Sequence, residues 1–323
     1  MPENNDYFDK YMPFFSASST QIFLQKCYTY EKIEDAEKKS YENCYPFIYY
    51  LEHSKIYYTQ SAIAPLSIQP ILSFYGFTHL LKACLLTVNP NYPESTSLLA
   101  HGVTTRKRKK QQYDFLKDEV KTQKNGLFTS IAENLFHIKH LEGEKFSMES
   151  LLAEIPEMQT LAWTHSKKNF VSLIPTTDGM ELPSSILDSY QMATPRFFEF
   201  LKVKSEGIYE LKESKGKLLI KTDKAFNFNA PSPVRYNMEK DLFMLSLNKS
   251  SPVFSLPELL IHYLISYNLS IIARYETEWW AELLKTMPND DYPSIAQFLK
   301  ISQAKMPFLV LKWLKTGRFN PNI

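Results

Sequence analysis

Apolar residues recur every three or four positions along most of this chain. The clearest instance covers residues 66–87, where Ile71, Leu72, Phe74, Tyr75, Leu80, Leu81, Leu85 and Leu86 mark the broad buried face of a helix. Pro65 near its start and Asn89-Pro90 after it bound the segment, because proline lacks an amide donor and steers the preceding residue out of helical geometry. Ser16-Ala-Ser-Ser-Thr supplies hydroxyl caps for an earlier helix carrying Ile22, Phe23 and Leu24, which runs into the charged stretch 34–39. A second helix is expected over 46–62, and further ones over 111–124, 129–139 and 147–154.

After Trp163 the period changes. Phe170-Val-Ser-Leu-Ile-Pro, Ile208-Tyr-Glu-Leu and Lys217-Leu-Leu-Ile-Lys read as short strands, with Glu213-Ser-Lys-Gly216 as a hairpin turn between the last two. A small antiparallel sheet is therefore expected between residues 164 and 225, and Ala230-Pro-Ser-Pro233 marks a crossing back to helix. There Ser255-Leu-Pro-Glu258 has the spacing of a capping box opening a long helix whose face is Leu260, Tyr263, Leu264, Tyr267 and Ile271, with Arg274 one turn further. Two shorter helices over 279–286 and 293–299 and a last one over 302–314, ending at Gly317, complete the pattern.

The 323 residues include only eight glycines, and 44% are apolar against 22% charged. Few glycines favour helices over the many turns of a sandwich or barrel, so the expected fold is mainly α with a small antiparallel β insertion, α+β overall. The expected division is an N-terminal helical segment 1–163, a β-containing insertion 164–229, and a C-terminal helical segment 230–323 packing on the N-terminal helices. Cys27, Cys44 and Cys84 are odd in number and form no C-x-x-C pair, which fits reduced thiols, with Cys84 a core residue. The opening Met-Pro-Glu-Asn-Asn-Asp does not resemble a signal peptide and no apolar run would span a bilayer, so a cytoplasmic protein without a membrane partner is expected.

Net charge is only +2, yet Arg106, Lys107, Arg108, Lys109 and Lys110 are consecutive. The run reads as a loop that binds phosphates, with a salt slope of at most about −4.5 on duplex DNA, or as a solvated charge run. His101 and Arg274 are its candidate neighbours. His101-Gly102 reads as a turn, or as an imidazole kept neutral by nearby cations. Arg274 reads as an anion-fixing arginine, or as an i,i+4 ion pair with Glu278. His79 reads as a buried histidine bonded to a backbone carbonyl. His137 and His140, three apart on a helix, make a weak metal pair, and no metal or cofactor is expected. Trp279 and Trp280 read as closing a core or interface rather than stacking on a base. There is no Gly-x-Ser-x-Gly, Walker A or Gly-x-Gly-x-x-Gly sequence.

Five segments together carry a family resemblance. They are Phe14-Phe-Ser-Ala-Ser-Ser with Leu24-Gln-Lys-Cys-Tyr, Phe74-Tyr-Gly-Phe-Thr-His-Leu-Leu-Lys-Ala83, His101-Gly-Val-Thr-Thr with the cations after it, Gln123-Lys-Asn-Gly-Leu-Phe128, and Ser266-Tyr-Asn-Leu-Ser-Ile-Ile-Ala-Arg-Tyr-Glu276. Over nearly its whole length the chain resembles the YaaC-like family of bacterial cytoplasmic proteins, which brings no particular activity with it. The Tyr-Gly-x-x-His-x-x-Lys helix followed by His-Gly also resembles the helical core of HEPN (higher eukaryotes and prokaryotes nucleotide-binding) domains, many of which dimerise and some of which cut RNA. Those ribonucleases place an arginine four to six residues before a histidine, and no arginine of this chain is so placed.

The resulting expectation is a non-catalytic helical protein that binds an anionic partner, nucleotide or RNA, through the basic loop 106–110. The alternatives are a divergent HEPN-type ribonuclease or nucleotide-processing enzyme using His101 and Arg274, and a structural module that forms a homodimer.

Overall fold

The computed structural model describes residues 7–105, 113–161 and 168–316. These fall into two compact units, one of residues 1–148 with 262–323 and one of residues 149–261. The architecture is mainly α with small antiparallel sheets.

In the first unit, α1 (Ala17–Tyr30) begins where the hydroxyl-rich stretch placed it, with the Ser16 side chain accepting from the Ser19 amide at 3.4 Å. α2 (Ala36–Ile63) is longer than expected and carries Pro46 inside it. α3 (Gln69–Leu86) has Pro70 in its first turn; of its expected stripe Phe74, Leu80, Leu81, Leu85 and Leu86 are buried while Ile71, Leu72 and Tyr75 are half-buried, and Phe77 and Cys84 are buried as well. α2 and α3 pack with little room at Gly76, where an added Cβ would lie 2.8 Å from the ring of Tyr58 and 3.1 Å from Cβ of Tyr57.

A three-stranded antiparallel sheet follows, built from β1 (Val103–Thr105), β2 (Glu119–Thr122) and β3 (Lys145–Ser147), with α4 (Leu127–Phe136) between the last two. β2 replaces the end of the helix expected over 111–124. Val120 and Thr122 are buried while Lys121 between them is exposed, so the segment has period two and pairs on both sides.

The second unit takes up α5 (Met148–Leu152), which begins at the boundary, then β4 (Phe170–Ser172), β5 (Ile174–Thr176), β6 (Gly179–Pro183), α6 (Ile186–Tyr190), α7 (Thr194–Lys204), β7 (Ile208–Ser214), β8 (Lys217–Thr222), β9 (Val234–Asn237) and β10 (Leu242–Ser246). The expected hairpin is present: β7 and β8 close with Ser214 opposite Lys217, and Lys215 and Gly216 both take positive φ as a type I′ turn requires. The strands form two sheets, β5-β6-β8-β7 and β4-β10-β9. Tyr190, Phe197, Leu201, Leu218 and Ile220 fill the core of this unit.

Arg235 on β9 is buried in that unit. Its Nη2 donates to the carbonyls of Phe254 at 3.2 Å and Leu256 at 2.7 Å. Burial pulls its pKa down, and the negative charges of Glu154 and Glu258 act against that. Burial also raises the pKa of Glu154, which Arg235 and a 3.1 Å hydrogen bond from Ser246 counter. Glu258 is the first residue of α8 (Glu258–Tyr275), so this helix starts later than a cap at Ser255 would place it, and its carboxylate is close enough for its charge to act on the guanidinium.

α8 enters the first unit at residue 262 and is followed there by α9 (Thr277–Thr286) and α10 (Asp291–Thr316). The two final helices expected from the sequence are one: no glycine or proline interrupts residues 294–306, and Ser302 at the expected break lies 3.2 Å from His262 Nδ1. Among the described residues no helix is long and apolar enough to cross a membrane. All three cysteines are buried and unpaired, and burial pushes the Cys27 and Cys84 thiols up.

Replacing Arg235 by Leu should cost about 3–5 kcal/mol, because it leaves two buried carboxylates without their compensating charge. Urea unfolding of the full chain measures this, and a loss under about 1 kcal/mol would show that the guanidinium is dispensable.

Candidate functional site

A group of basic and aromatic side chains in the first unit lies where α2, α3, α8 and the turn at His101 meet. The turn is set by two glycines. Gly102 takes φ +75° and Gly126 φ +133°, and a Cβ on Gly126 would fall 2.4 Å from the backbone of Gly102. Only glycine on both sides lets these segments touch. The contact is sealed by backbone hydrogen bonds: the first two amides of α4, Leu127 and Phe128, donate to the carbonyls of Ala100 at 2.7 Å and His101 at 3.1 Å, and Gln123 donates to Gly102 at 2.9 Å. The Tyr263 hydroxyl also donates to the His101 carbonyl, at 2.9 Å.

Held this way, the His101 imidazole sits among the rings of Phe74, Tyr267 and Tyr75, with centroids 5.1, 5.5 and 6.3 Å away. Burial lowers its pKa, and the positive charges of Arg274 and Lys82 lower it further. Arg274 donates through Nε to the Ser270 carbonyl at 3.0 Å and through Nη1 to the Tyr75 hydroxyl at 3.3 Å, with its guanidinium 5.9 Å from the Tyr75 ring centroid. The ion pair with Glu278 does not form. α8 ends at Tyr275, so the two residues share no helix, and Arg274 reaches back along α8 and across to α3 instead.

Two turns of α3 beyond Tyr75, Lys82 lies 5.8 Å over the Tyr50 ring, and burial lowers its pKa. Neither Lys82 nor Arg274 has a carboxylate within ion-pair distance among the described residues. His79, between Tyr75 and Lys82, packs against Tyr57 at 5.7 Å and 17°, against Tyr50 at 5.8 Å and against His53 at 5.3 Å. Its Nδ1 is buried without a hydrogen-bond partner among the described residues, contrary to the expected bond to a backbone carbonyl. Burial, then Lys82 and His53, push its pKa down to about 4. The result is a half-buried group of bases around tyrosine rings, with its imidazoles at His79 and His101 held neutral near pH 7.

His101 and Arg274 are thus brought together, as neighbours in one electrostatic environment. The run 106–110 lies outside the described residues. β1 ends at Thr105, just before it, and the returning chain is pinned by Tyr113 donating to Asp118 at 2.9 Å, the Phe115 amide donating to Asp291 at 3.1 Å, and Tyr113 meeting Trp279 edge-on at 4.5 Å. Trp280 is buried and donates to the Ser67 carbonyl at 2.8 Å, in keeping with a core role. His137 and His140 are not on a helix: His137 caps the end of α4 and both take left-handed φ. Among the described residues no three His, Cys, Asp or Glu side chains assemble as a metal would need.

Sequence reasoning did not assign Lys82, Tyr57 or His53 to the site. A signal for them was present: aromatic residues 41, 45, 49, 53 and 57 recur every four positions along α2, and Tyr75, His79 and Lys82 share a face of α3.

A histidine whose pKa falls on folding is protonated more readily when unfolded, so its contribution to stability is complete above about pH 6.5 and is lost as pH drops toward about 4. The melting temperature of the unliganded protein should fall over that window, and His79→Gln should flatten the fall. An unchanged profile in the variant would show that His79 is not the titrating group.

A protein-family model described as YaaC-like protein matches residues 12–314. No curated protein and no solved structure matches the chain.

Proposed function

The chain belongs to the YaaC-like protein family, and we propose that it is a non-catalytic binding protein for an anionic, phosphate-bearing partner, a nucleotide or RNA. The partner's phosphate is received by Lys82, His101 and Arg274, and residues 106–110 add their charge. The observation that carries this reading is the pairing of two half-buried cations around one imidazole without a carboxylate within ion-pair distance among the described residues. Buried charges are ordinarily paired, because desolvation is otherwise uncompensated. A bound anion supplies the missing partner, and multidentate hydrogen bonding by a guanidinium suits phosphate oxygens.

Titration calorimetry with a nucleoside monophosphate and with a short RNA, at rising salt, tests the reading. Lys82→Ala and Arg274→Ala should each weaken binding about tenfold or more, and charge reversal at Arg106, Arg108 and Lys109 should weaken it and reduce its salt dependence. Absence of binding by the unmodified protein at low salt would overturn the proposal.

The same juxtaposition favours a second reading, a divergent HEPN-type ribonuclease or nucleotide-processing enzyme. His101, held neutral, would serve as the base and Arg274 would stabilise developing negative charge, replacing the absent arginine-to-histidine spacing. Turnover of RNA or labelled nucleotide that His101→Ala leaves intact would exclude this role.

A further inference from the structure

We infer that the site has a second compartment, a ring-binding ledge formed by Tyr57 with Tyr75 and His79, so that its ligand is a single nucleoside phosphate with its base on Tyr57. The inference rests on the anion-binding reading above and specifies what the anion is attached to.

Three rings from two helices share one orientation. Tyr57 of α2 lies at 17° to His79 and 26° to Tyr75, both on α3, with centroids 5.7 and 5.9 Å away. Those separations leave no room for another ring between them, since insertion needs about 7 Å, twice the contact distance of stacked carbon atoms. A ligand ring therefore adds to the outer side of Tyr57, which is half-exposed and meets no other ring among the described residues. Tyr75 links the ledge to the cations: its ring is 5.9 Å from that of Tyr57 and 5.9 Å from the Arg274 guanidinium. The unpartnered Nδ1 of His79 leaves a polar atom within the same group of rings.

Charge decides between a single nucleotide and a longer strand. The aromatic row continues along α2 through His53, Tyr49, Tyr45 and Tyr41, all exposed, and successive aromatics are what a single strand stacks upon. A strand also needs a positive track for its phosphates. The non-buried charges of α2 are Glu37, Glu42 and Glu52 against Lys38, Lys39 and Lys55, which cancel, and Lys38 lies 4.0 Å from Glu42. Among the described residues, α2 itself therefore carries no net positive charge for a strand's phosphates to follow.

The test compares adenosine 5′-monophosphate, ribose 5-phosphate and a short oligoadenylate on the full chain. The monophosphate should bind about tenfold or more tighter than ribose 5-phosphate, as stacking a base contributes. Tyr57→Leu should erase that advantage and leave ribose 5-phosphate binding unchanged, while Tyr57→Phe should retain it. Equal binding of the two small ligands, with Tyr57→Leu silent, would remove the ledge and leave the anion site standing. Failure of both to bind would remove the two together. Oligoadenylate binding much tighter than the monophosphate and weakened by Tyr45→Ala or Tyr49→Ala would overturn the single-nucleotide assignment in favour of a strand along α2.

Discussion

The contact of two glycine backbones, Gly102 against Gly126, is the constraint on which the candidate site depends. It brings the chain after α3 back beside α4, lets the first amides of that helix spend their hydrogen bonds on Ala100 and His101, and so fixes where the imidazole goes. Tyr263 fastens the same carbonyl from α8. A side chain at either glycine would separate segments that share backbone hydrogen bonds, and His101 would leave the company of Arg274 and Lys82.

Around that fixed point the site is assembled from bases rather than from complementary charges. Tyrosine rings and carbonyl oxygens take the place of carboxylates beside Lys82 and Arg274. This solution holds the cations without neutralising them, and it also keeps His79 and His101 deprotonated through burial and like-charge proximity. The second unit handles its buried cation differently. Arg235 is given two carbonyls and two acidic neighbours, which is what a structural charge receives. Lys82 and Arg274, by contrast, have no carboxylate within ion-pair distance among the described residues.

Much of the helical frame was legible in the residues. Periodicity located α3 and α8, although α3 keeps Ile71, Leu72 and Tyr75 half-buried and α8 is buried on all sides over residues 261–270, and the Lys215-Gly216 hairpin followed from turn chemistry. The failures have identifiable causes. Residues 119–122 were absorbed into a helix because four residues of strand alternation are too few to outweigh neighbouring Phe115 and Leu116, and only the partners β1 and β3 make that strand. Glu258 looked like half of a capping box, and its role as a neighbour of Arg235 is invisible without the fold. His101, Arg274 and His79 were visible as candidates, whereas Lys82 was left unassigned on the apolar helix that carries it.

What the sequence determined by itself was local: which segments have a helical face, where turns need glycine, and that cations are concentrated after residue 105. What only the tertiary structure decided was which polar groups share a neighbourhood, because residues 57, 82, 101 and 274 are far apart in the chain and no periodicity links them. Local propensity acts over a few residues, while burial and electrostatic coupling act through space. The chemistry of this site exists only after packing has brought α2, α3, α8 and the glycine turn together.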